Sequence, residues 1–562
     1  MAIPTLSLAL DPAITQLLHS NTAPAPSETL LVRTLIASRR QAADASLKAE
    51  RGRNDSLAKE LRKNKAEIKQ LERVLSAVRR FPAELWGVVF GMYVSEYYTG
   101  GGTTHSVYHR RSAPMVLSRV CSHWRDIVLS SPRLWDDVQI TVGLTPRRTP
   151  LSSECLDTIV ARSAPLGFRA VIGSRTPPKT SEYERYTSTL LVQLFQTPGF
   201  VERVGHLKIT MATAHYVEVV GLARQRFAAL KTLHIAPRTS HADKSVSIPD
   251  ILALFADTPE LRNLHVIVTK GQLAPRYYGA LPPFPWAQLE VIEFQCSLDA
   301  RVVLWILARM PVLREATFTS VRYDLLVSDR WGFDVGVLPQ EIELRKLERL
   351  TLHGWSVVRY PALRYPVLQA LVLPALTHLD LRAIQSPGPA GASVDLLGGL
   401  QRRSGFELRS LAIADHLETE YIPRFLQANV GIERLEVRRE DWGLFRRMRV
   451  SDLDDGASPV LLPNLRYLTV IIRDDGMSTG GDRLRKAGDE LTRMLASRCA
   501  DSEPASGAGV GCVRLEEVHL WIDGWEMSPE SERIVRELVE RGIVQDHLER
   551  EELEGEDGMS PW

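Results

Sequence analysis

Cysteine is scarce in this chain of 562 residues: five are present, Cys121, Cys155, Cys296, Cys499 and Cys512, and no two stand in a Cys-x-x-Cys pair. An odd and scattered set excludes a disulfide framework or a zinc knuckle and fits buried thiols in a reducing compartment. An excess of one charge is missing too, since 69 Lys and Arg face 68 Asp and Glu. A chain so balanced is not built around nucleic acid or an anionic membrane surface. No run of 18 apolar residues occurs, and the apolar stretch Ile3 to Leu10 has no Lys or Arg before it, the first being Arg33. A membrane span and a secretory signal are therefore not expected, and the protein is placed in the cytoplasm or nucleus. Catalytic motifs are also missing: there is no Gly-x-Ser-x-Gly turn and no His-Glu-x-x-His helix. Gly507-Ala508-Gly509-Val510-Gly511 has the glycines of a phosphate loop but no Lys-Ser/Thr after it, and reads as a surface insertion. No enzyme, cofactor or metal is expected.

What the chain has instead is a recurring apolar triplet of the form Leu-x-x-Leu-x-Leu. It runs as Val204/Leu207/Ile209, Leu230/Leu233/Ile235, Leu261/Leu264/Val266, Leu289/Ile292/Phe294, Leu313/Ala316/Phe318 and Leu347/Leu350/Leu352. It continues as Leu376/Leu379/Leu381, Leu408/Leu411/Ile413, Ile432/Leu435/Val437, Leu465/Leu468/Val470 and Leu515/Val518/Leu520. Each triplet predicts a short strand, and the stretch between triplets predicts a return by helix or loop, as in Ile251 to Phe255 and Val302 to Leu307. The intervals vary from 24 to 50 residues, so the pattern resembles an irregular leucine-rich-repeat-like solenoid. One unit alone is too small: its three buried side chains contribute roughly 1.5–3 kcal/mol each, against about 1–2 kcal/mol of backbone entropy per ordered residue. Stacking supplies the rest.

Before the repeats, residues 1–26 end in Asn-Thr-Ala-Pro-Ala-Pro and read as disordered, with Ser27 offering an N-cap to a helical segment over 27–79. Leu57, Leu61, Asn64, Ile68, Leu71, Leu75 and Val78 fall at coiled-coil spacing. That seam either packs on the chain's own next domain or pairs with a second copy, with Asn64 fixing register. After the repeats, 527–545 reads as a capping helix and 546–562 as an acidic tail. Residues 386–392 and 477–487 read as surface loops.

Residues 80–138 carry a more specific pattern. Phe81-Pro82-Ala83-Glu84-Leu85-Trp86 with Val88, Val89 and Phe90 is similar to the Leu-Pro-x-Glu opening of an F-box. Leu117, Val120, Cys121, Trp124 and Arg125 resemble its Val-Cys-x-x-Trp-Arg helix, and Ser131-Pro132-Arg133-Leu134-Trp135 resembles its close. With the heptad segment and Arg162-Ser163-Ala164-Pro165-Leu166, the region 27–172 resembles fungal F-box proteins. Two departures stand out: Phe81 occupies a usual leucine position, and residues 95–113 lengthen a loop. Spacing alone puts Leu117, Val120, Cys121 and Trp124 on one face of one helix.

The whole reads as an α/β chain: an N-terminal helical segment, a small all-α F-box module at 80–138, and the solenoid over 139–526. The resemblance implies that Pro82, Leu85, Leu117, Val120, Cys121 and Trp124 meet a Skp-type adaptor, and through it a cullin, in a ubiquitin ligase. In the triplet strands the residue before the last apolar position points to the concave face. This gives Lys208, His234, His265, Glu293, Thr317, Thr351, Asp380, Ala412, Glu436, Thr469 and His519 as a mixed polar strip suited to a protein substrate. His234 and His265 are expected on adjacent strands, about 4.8 Å apart, as solvated surface histidines. Trp286, Trp331 and Trp355 lie between triplets, as plugs of the convex layer or as exposed anchors. The alternative is a repeat scaffold without a ligase, in which the chain's own N-terminal helix covers the apolar F-box face.

Overall fold

A computed structural model of the chain describes residues 12–19, 23–49, 55–99, 112–142, 153–174, 192–211, 226–237, 248–268, 283–322, 340–356, 366–385, 395–413, 422–438, 442–450, 460–472, 481–499, 512–522 and 528–546. They fall into two compact units, Met1–Lys208 and Ile209–Trp562. The fold is mixed α/β, and among the described residues no helix is long and apolar enough to cross a membrane.

The first unit opens with three helices, α1 Pro12–His19, α2 Pro26–Ala49 and α3 Asp55–Val74. Part of the segment read as disordered is thus α1, because Ile14 and Leu17 find a core: they are buried with Val32 and Ile36 of α2 and Leu71 and Val74 of α3. The early half of α2 meeting the end of α3 makes that pair antiparallel, and Arg39–Glu67 and Arg40–Glu72 ion pairs lie along it at 3.1 and 2.8 Å. Ile68, Leu71 and Leu75 of the heptad seam thus pack within the chain, against α1 and α2 upstream. Asn64 is 4% exposed, while Val78 at the end of the seam is exposed. α2 begins one residue before the expected cap, at Pro26, whose missing amide hydrogen suits a first turn.

Three further helices follow: α4 Ala83–Thr99, α5 Ala113–Leu117 and α6 Ser122–Ser130. Beyond them β1 Asp137–Val142 pairs in parallel with β2 Phe168–Ser174, with α7 Ser153–Arg162 between them in sequence. These strands precede the first triplet and lack its pattern. Arg203 ties this end of the unit together, donating to the Val160 carbonyl and the Ser163 hydroxyl at 2.6 and 2.8 Å. β3 Val204–Thr210 carries the first triplet across the boundary between the units.

In the second unit the strands are β4 Thr232–Ile235, β5 Asn263–Ile267, β6 Val291–Asp299, β7 Glu315–Arg322, β8 Ile342–Glu343, β9 Arg349–Ser356 and β10 Leu371–Val372. Then come β11 His378–Gln385, β12 Ser410–Ile413, β13 Arg434–Val437, β14 Tyr467–Ile472, β15 Glu517–Ile522 and β16 Val544–Asp546. They form a parallel sheet in the order β4-β5-β6-β7-β9-β11-β12-β13-β14-β15-β16, with β8 and β10 pairing separately. Equivalent triplet residues sit in register, such as Leu350, Leu379 and Leu411. They stack into a buried column on the inner face. The returns carry short helices, among them Ala300–Leu307 and Leu396–Ser404, the latter capped by the Asp395 carboxylate and ended by Gly405 at φ 67°.

At the start of most repeats one carbonyl accepts two successive amides. Thr377 O takes Arg409 N and Ser410 N at 2.8 and 3.0 Å, and Arg409 O takes Glu433 N and Arg434 N at 2.9 and 3.0 Å. The same clamp recurs at Lys231, Arg262, Glu290, Arg314, Glu348, Glu433 and Arg466.

Several expectations change at the C-terminal end. Residues 481–487 belong to a helix, Gly481–Cys499, that buries Leu491, Met494 and Leu495, so 477–487 is not simply a loop. The helix at Pro529–Glu540 is followed by β16, which adds to the sheet and includes Asp546, the first residue assigned to the tail. Trp286 is buried against Phe284 and Trp305, as a plug would be, and Trp355 lies within β9 instead of between strands. Trp331, residues 386–392, the glycine-rich 507–511 and 547–562 lie outside the described residues. Cys296 and Cys499 are buried, whereas Cys121 and Cys512 are half-buried.

Candidate functional site

Two exposed surfaces carry chemistry, one in each unit. In the first, α4 reads Leu85-Trp86-Gly87-Val88-Val89-Phe90-Gly91-Met92-Tyr93-Val94, apolar on every side. Its inner side is held by an aromatic cluster in which Trp86 lies 5.4 Å from Phe90 and 4.9 Å from Trp124, and Phe90 lies 4.8 Å from Trp124. Phe81 adds an edge contact to Trp86 at 5.0 Å. The outer side holds Leu85, Val88, Val89 and Met92 at i, i+3, i+4 and i+7, which are 48, 54, 43 and 67% exposed. An apolar stripe of that width on a surface marks a contact site. α1, α2 and α3 leave these four side chains exposed.

The predicted single helix from Leu117 to Trp124 is two helices. α5 ends at Leu117, Ser118 to Val120 turn, and extended Cys121 (φ −161°) caps α6 by accepting from Trp124 N at 3.4 Å. Arg125 braces the break by donating to the Ser118 carbonyl at 2.9 Å. Of the residues read as the adaptor surface, Pro82, Leu85 and Val120 are exposed. Leu117 is 6% exposed and packs inward. Trp124 belongs to the aromatic cluster, and Cys121 acts as the cap. Val88 and Val89, which sequence reading quoted without assigning to a surface, and Met92, which it did not name, complete the exposed stripe. The unbroken apolar run was the available signal.

In the second unit, strand register brings the predicted polar positions into one ladder. His234 pairs with His265, His265 with Glu293, Glu293 with Thr317, and Thr317 with Thr351. The ladder continues through Asp380, Ala412, Glu436 and Thr469 to His519. Lys208 is exposed on β3, in the first unit. Thr351 and Ala412 are buried and contribute floor instead of contact.

The ladder is electrostatically worked out. The His234 and His265 rings stack with centroids 5.7 Å apart. His265 Nδ1 then meets Glu293 Oε2 at 2.7 Å, and the Gln295 amide donates to the other carboxylate oxygen. The hydrogen bond from His265 holds the Glu293 carboxyl below its ordinary range, against the opposing effect of burial. Further along, Asp380 lies 3.2 Å from His353 Nε2, and Arg438 holds Glu436 at 2.8 Å.

Sequence reading missed a second row, two residues upstream on the same face: Glu315, Arg349, His378, Ser410, Arg434, Tyr467 and Glu517. Arg434 lies over the Tyr467 ring at 4.4 Å. Burial, with Arg349 and Arg434 nearby, pushes the His378 pKa down. Both rows line a groove of about 440 Å³ that runs from Arg349 and Thr351 on β9 to Glu517 and His519 on β15, with Ser410, Leu411 and Ala412 of β12 along it. Among the described residues no three His, Cys, Asp or Glu side chains form a metal-binding group.

Comparison of the chain with known protein families and with curated proteins returns no match.

Proposed function

We propose that the chain is a substrate-receptor subunit of a Skp–cullin–F-box ubiquitin ligase: the α4–α6 module docks a Skp-type adaptor, and the ladder face of the second unit binds a protein substrate. The observation that carries this reading is the outer stripe of α4, four large apolar side chains held at helical spacing over a rigid aromatic cluster and left to solvent. Full burial of such a side chain contributes about 1.5–3 kcal/mol, so covering the remaining half of four contributes about 3–6 kcal/mol before ordering costs. The F-box-like order of Phe81-Pro82-Ala83-Glu84 and Cys121 to Arg125 supports an adaptor of the Skp type. The mixed polar ladder supports recognition of a protein surface.

Co-purification of the full chain with a Skp-type adaptor tests the reading, using Val88→Asp/Met92→Asp as the variant. Both positions are exposed, so the variant keeps its fold and melting temperature while adaptor binding falls at least 100-fold. Absence of binding by the unaltered chain would overturn the ligase reading and leave a repeat scaffold.

A further inference from the structure

The groove over β9 to β15 satisfies its negative charges and leaves positive ones over. Of the carboxylates that line it, Asp380 meets His353 at 3.2 Å, Glu436 meets Arg438 at 2.8 Å, and Glu517 meets both His519 and Gln545 at 3.1 Å. The arginines are held less well. Arg349 shares Glu315 at a loose 3.8 Å. Arg434, in the groove, and Arg409, exposed beside Ser410, have no carboxylate within 4.0 Å among the described residues, the neighbouring Glu433 included.

These cations gather about one strand. Ser410 of β12 pairs in register with His378 on one side and Arg434 on the other, and His378 pairs in turn with Arg349. Arg409 is tied to the same place, because its carbonyl accepts the Glu433 and Arg434 amides. Their fields meet at the His378 ring: after burial itself, Arg349, Arg434 and Arg409 oppose a proton there, with Glu315 acting the other way. Arg434 lies over the Tyr467 ring at 4.4 Å. That contact uses the face of the guanidinium, whose N–H donors lie in its plane and suit the paired oxygens of a carboxylate or phosphoryl group. A polyanion such as nucleic acid would carry further phosphates over Asp380, Glu436 and Glu517, so the surroundings admit one anionic group and not a row of them.

We propose that Arg349, His378, Arg409, Ser410 and Arg434 form an anion site that seats a single oxyanion, a carboxylate or a phosphoryl group, carried by a protein segment lying in the groove. The inference rests on the reading of this face as a protein-binding surface, and it names the group bound.

The test immobilises the full chain and measures retention of labelled nonapeptide pools, randomised except at a central residue that is phosphoserine, Glu, Gln or Lys. Both anionic pools are expected to bind about 10-fold or more tighter than the Gln and Lys pools, and the tighter of the two identifies the oxyanion. Arg409→Gln/Arg434→Gln, at exposed positions, keeps the melting temperature and erases the preference. Arg262→Gln/Arg314→Gln removes the same charge from arginines that face Glu290 and Glu348 at 3.6 and 3.7 Å, and keeps the preference. Equal retention of all pools, no retention, or equal loss in the two double variants would overturn the proposal. Inorganic phosphate alone is assayed by thermal shift on the same proteins. Protection that needs Arg409 and Arg434 while neither anionic pool is retained would mark a site for a small free anion and overturn the protein segment. Adaptor co-purification is run in parallel, so failure of the ligase reading is seen separately from failure of this site.

Discussion

Leu85, Val88, Val89 and Met92 turn bare hydrocarbon to solvent on α4, whereas the ladder from His234 to His519 presents imidazoles, hydroxyls and carboxylates that water or neighbouring side chains satisfy. The apolar stripe gains free energy from any complementary cover, and it is rigid because its other side is an aromatic cluster. The polar ladder gains little from cover unless the partner returns each hydrogen bond and charge. Affinity that tolerates variation belongs to the first surface, and discrimination between ligands to the second. The proposed receptor, with one constant partner and one that it chooses, would divide the work in this way.

The largest effect in any test of this division is expected on the inner side of the helical module. Leu117→Asp buries an unpaired charge and should cost about 4 kcal/mol or more, read as loss of the module's cooperative melting. Leu435→Ala comes next: it lies beneath Arg434 and Glu436, and its cavity should cost about 2–5 kcal/mol in chemical denaturation. On the outer stripe Val88→Asp/Met92→Asp should change stability by less than about 1 kcal/mol, in contrast to Leu117→Asp a short way off. If both abolish folding equally, the two sides of the module are not distinct.

Acid titration gives a smaller effect. The folded pKa of Glu293 is depressed from 4.5, so its contribution is present above that value and lost as pH falls toward the folded one. Glu293→Gln should flatten the acid limb of stability in that window. The folded pKa of His378 is lowered from 6.5, so the unfolded chain binds its proton first and stability declines as pH drops below 6.5. His378→Asn should remove that slope, seen in melting temperature against pH. Smallest of all, Thr469→Val on the ladder should stay within about 0.5 kcal/mol by the same melting assay.

The leucine triplets made the strand register legible, since burial of every second residue leaves a period-two trace and the residue between two buried ones must face outward. The alignment of His234 through His519 is therefore written in the sequence. The upstream row was not named, although Ser410, Arg434 and Tyr467 hold one equivalent position just before the middle apolar residue of each triplet, because only the residue before the last apolar position was assigned to the exposed face. The break at Ser118–Val120 was missed because Leu117, Val120, Cys121 and Trp124 fit helical spacing, and only the extended backbone of Cys121 shows that its sulfur caps a new helix. α1 was missed because Pro-rich sequence follows it, although Ile14 and Leu17 have a core to fill.

The carbonyl clamp at the start of the repeats explains why their lengths vary so widely. Alignment of each strand is set within a few residues, by one oxygen holding two amides, and owes nothing to the path of the return. Doubling the length of a flexible return costs only about 0.6 kcal/mol. The architecture is thus open to insertion: segments can be gained between strands over evolutionary time, or grafted there by design, while the faces on either side keep their alignment.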